Sequence, residues 1–341
     1  MNALLESVPN VSEGRRSEVV DALAAAIASV PGAFLLDRSS DPDHNRSVFT
    51  LAGSAEAVCR ALEALVARAI ETIDMETHRG EHPRIGAVDV VPFVPLGATS
   101  MAEAVEVARA FGRRIAERFE LPVYLYGEAA LRPDRVKLAD IRRGQYEGLK
   151  REIGQRGREP DFGPPRMHPR AGAVAVGARP FLIAWNVDLE TTDVEVARRV
   201  ARRVRESGGG LPKVQANGFW IAERGRAQVS MNLLDFRVTP IWRVWEAVAE
   251  LAAEEGVAPA ESELIGLAPL AALLDVADRA GAPSDAPLEA RLQAAARAIR
   301  LRDFRPDMAL ELRLAAAMEA AGVPVSDPDA TGGAQLASDR G

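Results

Sequence analysis

The chain has 341 residues and carries 42 Lys and Arg against 49 Asp and Glu, a net charge of −7 with histidine neutral. At about 150 residues per domain there is room for two domains, and a hydrophobic fraction of 48% with both charge signs interspersed excludes a disordered chain. The acidic balance argues against bulk nucleic-acid binding, and no run reaches the roughly 18 apolar residues of a membrane span.

In chain order, the opening MNALLESVPN has neither the basic start nor the apolar run of a signal peptide, so a cytoplasmic protein without a membrane partner is expected. An apolar strand is predicted over residues 4–8 and a helix over 17–30, stopped by Pro31 and Gly32. Strands follow at 33–37 and 47–53, separated by the turn-rich RSSDPDHNR. Val58, Leu62, Leu65, Val66, Ala69 and Ile73 recur at steps of three and four and form the apolar stripe of a long helix. Cys59, the single cysteine, falls on that helix, which makes inert packing the expectation and excludes an internal disulfide or a multi-cysteine metal site. The β-branched run at 87–95 reads as a strand, completing the order β-α-β-β-α-β. A helix capped by Ser100 and Glu103 and a short strand, PVYLYG, extend this half.

From Pro180 the order repeats. FLIAWNVDL is a strand, a helix opens at Thr192-x-x-Glu195, and two strands form a hairpin around residues 223–225. Thr239 as cap with Pro240 at the first helical position starts another helix, and ELIGLAPL closes the set. The expected fold class is α/β (α+β), with two ferredoxin-like βαββαβ subdomains in tandem and helices on one face of each sheet. Residues 154–172 are too rich in Gly and Pro for regular structure and read as a linker or a binding loop. Beyond Arg302 an alanine-rich helical extension and a frayed tail are expected.

The four histidines, at 44, 78, 82 and 168, lie in segments dense with Gly, Pro or charge, outside the apolar stripes. His78 and His82 are four apart, but Gly80 and Pro83 break the helix that would make them a metal pair, so no metal is expected. The better reading is a constrained turn that presents His78, Glu81, His82 and Arg84 from the edge of a sheet. Asn45 and Arg46 offer donors to a carboxylate, as do Arg166 and Arg170 in the proline-rich loop. Neither GxGxxG nor GxxxxGK occurs, so a dinucleotide or P-loop fold is not supported.

Together the segments SVPNVSEGRR, DPDHNRSVFTLAG, IDMETHRGEHPRIGAVDVVPFVP, PVYLYGEAA, PDFGPPRMHPRAGAVAVGARPFLIAWNVDL and QVSMNLLDF resemble the glutamate formiminotransferase family over roughly residues 4–300. The resemblance implies transfer of the formimino group from N-formimino-L-glutamate to N5 of tetrahydrofolate, the co-substrate, in a homodimer. It implies that the histidine of GEHPR, His82, is the catalytic base. It also implies that folate lies along Gly163, Pro164, Pro165, Arg166, Met167, His168, Pro169, Arg170, Ala171 and Gly172. The subdomains would be 1–178 and 179–302, with 303–341 as an extension, and the cyclodeaminase step would belong to a separate protein.

An imidazole with its ordinary pKa of about 6.5 can take the N5 proton and return it to the departing glutamate nitrogen. Asp37 is a candidate for stabilising the protonated formimino carbon, and Asn45, Arg46 and Arg84 for holding substrate carboxylates. Two alternatives stay open, a glutamate formyltransferase acting with 5-formyltetrahydrofolate and a non-catalytic folate-binding protein.

Overall fold

A computed structural model describes residues 3–324, which divide into two compact units meeting at Arg179 and Pro180. The first contains β1 (Ala3–Ser7), β2 (Asn10–Val11), α1 (Ser17–Ala28), β3 (Ala33–Asp41), β4 (Arg46–Gly53), α2 (Ala55–Thr72), β5 (Val88–Gly97), α3 (Met101–Phe119), β6 (Val123–Gly127), α4 (Leu138–Ile141), α5 (Gln145–Glu152) and β7 (Val174–Ala178). β1 and β2 run end to end between β4 and β5, antiparallel to both. β3 pairs with the other edge of β4, so these strands have the order of a split βαβ unit.

Two further strands extend the sheet. β7 lies parallel to and between β5 and β6. Its sequence, VAVGA, directly follows the Gly- and Pro-rich segment, so residues 154–172 form a loop inside the first unit and not a linker between units. The sequence pattern alone did not reveal this strand, because a five-residue run of small residues has no period of its own.

The expected stripe on α2 is buried, every residue from Val58 to Ile73 that carries it lying in the core, and Ser54 caps the helix by accepting from the Ala57 N–H. α1, α2 and α3 cover one face of the sheet, where Leu51, Val91, Phe93, Leu125 and Val176 point. Cys59 packs in that core, and burial pushes its thiol up to about 11, consistent with an inert role. Alternate residues Val90, Tyr124, Tyr126 and Ala175 face the other way, where Ile141, Leu149 and Ile153 around α4 and α5 cover part of the sheet. These two short helices carry polar side chains to the opposite face.

The second unit contains β8 (Ile183–Leu189), α6 (Val194–Val204), β9 (Val214–Ile221), β10 (Arg226–Leu233), α7 (Ile241–Glu254), β11 (Pro259–Ile265), α8 (Leu270–Arg279), α9 (Leu288–Ala298) and α10 (Leu310–Ala320). Its antiparallel sheet has the order β11-β8-β10-β9, the same split βαβ arrangement as the first four strand positions of the other unit. Trp185 on β8 is fully buried with its ring 6.1 Å from that of Trp245 on α7.

Ser100 and Glu103 form the expected capping box on α3. Two other expected caps are corrected. Asp193, not Thr192, caps α6 by accepting from the Glu195 N–H, and Pro240 is itself the residue preceding α7. The Thr239 hydroxyl is drawn away to the Pro212 carbonyl, 2.6 Å off. Phe304, Met308, Ala309 and Leu312 pack into the core of the second unit, where Ala268 exchanges backbone hydrogen bonds with Met308 and Leu310. The expected tail lies outside the described residues. Among the described residues no helix is long and apolar enough to cross a membrane.

Candidate active site

Four segments of the first unit meet on the sheet face opposite α1 to α3. They are the β3–β4 hairpin, the turn from His78 to Asp89, the α4–α5 corner, and the end of the loop that carries residues 163–172.

The hairpin and the turn are fastened by Asn45, which adopts a left-handed φ of 48°. Its carbonyl accepts from His78 Nε2 at 3.1 Å, its Nδ2 donates to the Arg79 carbonyl at 2.8 Å, and its Oδ1 accepts from the Gly14 N–H at 2.9 Å. Gly80 approaches so closely that a Cβ there would lie 2.4 Å from the His44 carbonyl oxygen. Asparagine tolerates the left-handed region better than other residues with a Cβ, and its short amide closes the corner locally. Asn45 is therefore tied up in holding the backbone of Arg46.

His78 is buried and neutral. Its Nδ1 accepts from Arg84 Nε at 3.3 Å while Nε2 donates to Asn45, so one proton on Nε2 satisfies both partners. Burial lowers its pKa in the same direction. Arg84 is buried as well. Its guanidinium forms a fork with Glu147, at 3.0 and 2.7 Å, and donates to Gln145 Oε1 and to the His78 carbonyl. All five donors of Arg84 are used within the protein, which leaves none for the substrate carboxylate expected from sequence.

His82 protrudes from the same turn with 15% of its side chain exposed. Arg46 Nη1 is 3.4 Å from both ring nitrogens. An atom equidistant from both cannot sit in the ring plane on the Cε1 side without colliding with that carbon, so the guanidinium lies off the plane. The His44 ring meets His82 edgewise at 6.5 Å and is held by Asp41, whose carboxylate is 2.8 Å from His44 Nδ1. Behind the imidazole, Asp89 Oδ2 is 3.8 Å from Nε2.

Asp89 is the extra residue of a β-bulge, since Val88 and Val90 oppose successive residues of β2, and the bulge redirects its side chain. It is fully buried, accepts from the Ile85 N–H at 2.8 Å, and is in close contact with Arg142 from the α4–α5 corner. Burial raises the Asp89 pKa, opposed by Arg142 and the Ile85 amide.

Together these surroundings push the His82 pKa down to about 3. Burial is the main cause, followed by the charges of Arg46 and Arg142. The imidazole is neutral at physiological pH, its pKa far below the ordinary value expected from sequence, because burial disfavours the charged ring and two guanidinium groups then add repulsion. The Nε of Arg46 is buried without a hydrogen-bond partner among the described residues, so an acceptor brought by a ligand would relieve a cost of about 1–3 kcal/mol.

Near the site, the 163–172 loop ends in a bridge between Gly172 and Gly86. Ala87 donates to the Ala171 carbonyl and Ala173 to the Ile85 carbonyl, so the loop returns beside the turn that carries His82. Neither crossing residue could carry a Cβ. One on Gly86 would lie 1.9 Å from the Ala173 carbonyl oxygen, and Gly172 also has a φ of 73°. His168 Nδ1 accepts from the backbone amides of Arg170 and Ala171, closing the loop on itself. Arg166 pairs with Glu120 in solvent and Arg170 Nη2 donates to the Glu71 carbonyl, so in this conformation both arginines are engaged away from His82.

Asp37 is not brought to this group. It pairs with Thr50 in the β3–β4 ladder, four residues from Arg46 along β4 and so about 13 Å away at 3.3 Å per residue. Conversely, sequence reasoning missed Asp89 and Arg142. One signal was present, an acidic residue within the otherwise apolar β-branched run of β5.

The Formiminotransferase domain, N-terminal subdomain, matches residues 4–179, and the Formiminotransferase domain matches residues 184–280. The chain is 48% identical over 277 residues to the glutamate formimidoyltransferase of Thermoplasma acidophilum, covering 81% of this chain and 91% of that protein. It is 44% identical to the glutamate formimidoyltransferase of Streptococcus pyogenes serotype M1, over 82% of this chain and 93% of the relative. The formimidoyltransferase-cyclodeaminase of Rattus norvegicus is 47% identical over 81% of this chain, the match spanning 52% of that longer protein. With both subdomains matched in order and near-half identity to proteins of similar length, the chain belongs to the formiminotransferase family.

Proposed function

We propose that the protein is a glutamate formimidoyltransferase, moving the formimino group from N-formimino-L-glutamate to N5 of tetrahydrofolate and releasing L-glutamate. The observation that supports this reading most directly is the neutral imidazole of His82 beside the unsatisfied guanidinium of Arg46, next to the returning end of the 163–172 loop.

In this reading His82 is the proton carrier. N5 of tetrahydrofolate attacks the amidine carbon, and the proton it loses passes to the imidazole. The carbon–nitrogen bond to glutamate then breaks, and the imidazolium gives its proton to the departing nitrogen. Arg46 binds a glutamyl carboxylate. Binding offsets the Arg46 charge, which after burial is the largest influence holding the His82 pKa down, so the imidazole becomes a better base when the donor is seated. Tetrahydrofolate lies along the 163–172 loop, and the protein acts as a cytoplasmic homodimer whose product is deaminated by a separate cyclodeaminase.

The test is a steady-state comparison of N-formimino- and N-formyl-L-glutamate with tetrahydrofolate, repeated with His82→Gln. The expected result is a higher kcat/KM for the formimino donor and a loss of about 10²–10⁴-fold in kcat for the variant. A preference for the formyl donor makes the protein a formyltransferase, and tight folate binding with no transfer from either donor makes it a binding protein. An undiminished His82→Gln enzyme removes the assigned base.

A further inference from the structure

We propose that Asp89 and Arg142 are positioning residues for His82, the buried carboxylate standing where the protonated imidazole needs its counter-charge and Arg142 holding it there. This inference rests on the reading of His82 as the proton carrier.

Charged and titratable groups reach His82 from every side. Arg46 comes from β4, His44 from the β3–β4 hairpin, Arg84 from its own turn, Arg142 from the α4–α5 corner and Asp89 from β5. Tyr126 on β6 is fully buried beside Arg142 and Asp89, and burial raises its pKa. Among these groups Asp89 is the single carboxylate, and Oδ2, the oxygen in contact with Arg142, is also the one 3.8 Å from Nε2. When the N5–H bond breaks, its electron pair stays on nitrogen and the proton bonds to the imidazole. The new cation then faces Arg46 on one side and Asp89 on the other. Without Asp89 it would face Arg46 and Arg142 with no carboxylate within 4 Å of its ring nitrogens among the described residues.

The arrangement is too specific for a general structural ion pair. A β-bulge aims Asp89 at the site face, the Ile85 amide fixes its second oxygen, and Arg142 approaches from a separate element. The pair therefore sets how readily His82 accepts and returns a proton.

The experiment follows the His82 ring by NMR titration of the folded, ligand-free protein, together with kcat and KM. Arg142→Met is expected to raise the His82 pKa by at least about one pH unit, whereas Arg142→Lys, which retains the charge, leaves it near the wild-type position. Asp89→Asn is expected to lower kcat by about 10²-fold with KM changed by less than about threefold. An unmoved His82 titration in Arg142→Met, or a folded Asp89→Asn enzyme with unchanged kcat, overturns the proposal. If Asp89→Asn does not fold, the Arg142→Met titration decides by itself. Because that titration does not depend on turnover, a failure here is separable from a failure of His82→Gln to lose activity.

Discussion

His78 Nε2 donates to the carbonyl of Asn45 at 3.1 Å, a contact between residues 33 apart in sequence that fixes the corner from which Arg46 reaches His82. The predicted consequence concerns stability first. His78→Phe strands both the Asn45 carbonyl and Arg84 Nε in a buried setting, at about 1–3 kcal/mol each. Urea unfolding is expected to show a loss of about 2–6 kcal/mol at an unchanged m value. The folded fraction should also show a lowered kcat/KM, since Arg46 follows Asn45 directly in the chain. An unaltered midpoint would mean that the corner is held by other contacts.

Acid sensitivity follows from His82. Its folded pKa lies near 3, against about 6.5 in the unfolded chain, so below 6.5 the unfolded state binds more protons than the folded one. The stabilising contribution is fully present above pH 6.5 and is lost progressively as pH falls toward 3. Between pH 6.5 and 5 the slope of about 1.4 kcal/mol per pH unit corresponds to about 2 kcal/mol. His78, also depressed, adds to the trend in the same direction. Unfolding free energies measured from pH 7.5 to 5 should fall in the wild type and fall less in His82→Gln, which cannot titrate. Parallel slopes would contradict the assignment.

Arginine charge by itself is a poor guide to importance here. Arg84 is buried with every donor engaged, whereas Arg166 and its partner Glu120 are both exposed. Arg84→Lys cannot reproduce the planar fork to Glu147 and is expected to cost about 3 kcal/mol. Arg166→Ala should change stability by less than about 0.5 kcal/mol. Thermal melts of the two variants side by side test the contrast.

Gly172→Ala probes the loop. The left-handed φ costs about 1–2 kcal/mol for alanine, and a Cβ 2.5 Å from the Ile85 carbonyl oxygen must push the loop off the His82 turn. KM for tetrahydrofolate is expected to rise more than KM for N-formimino-L-glutamate. Equal effects on both would argue against folate lying along the loop.

The sequence by itself determined the two β-α-β-β-α-β series, because apolar residues at steps of two or of three and four report which face is buried wherever an element is long enough to show its period. α2 and the β9–β10 hairpin were legible for that reason, and Gly80 and Pro83 mark a turn outside regular structure that carries both His78 and His82, while the choice of His82 as base came from the resemblance of GEHPR to the formiminotransferase family. Tertiary structure decided the rest. β7 is short and lies between strands distant in sequence, so its place in the sheet depends on long-range pairing. Arg84 and Arg46 look alike as residue types. One is consumed by His78, Gln145 and Glu147 while the other is left beside His82, and only the packing of α5 against the turn separates them. Asp89 and Arg142 lie 53 positions apart, and a one-residue bulge with the α4–α5 corner brings them together. Charge placement of this kind depends on through-space distance, which local periodicity does not encode.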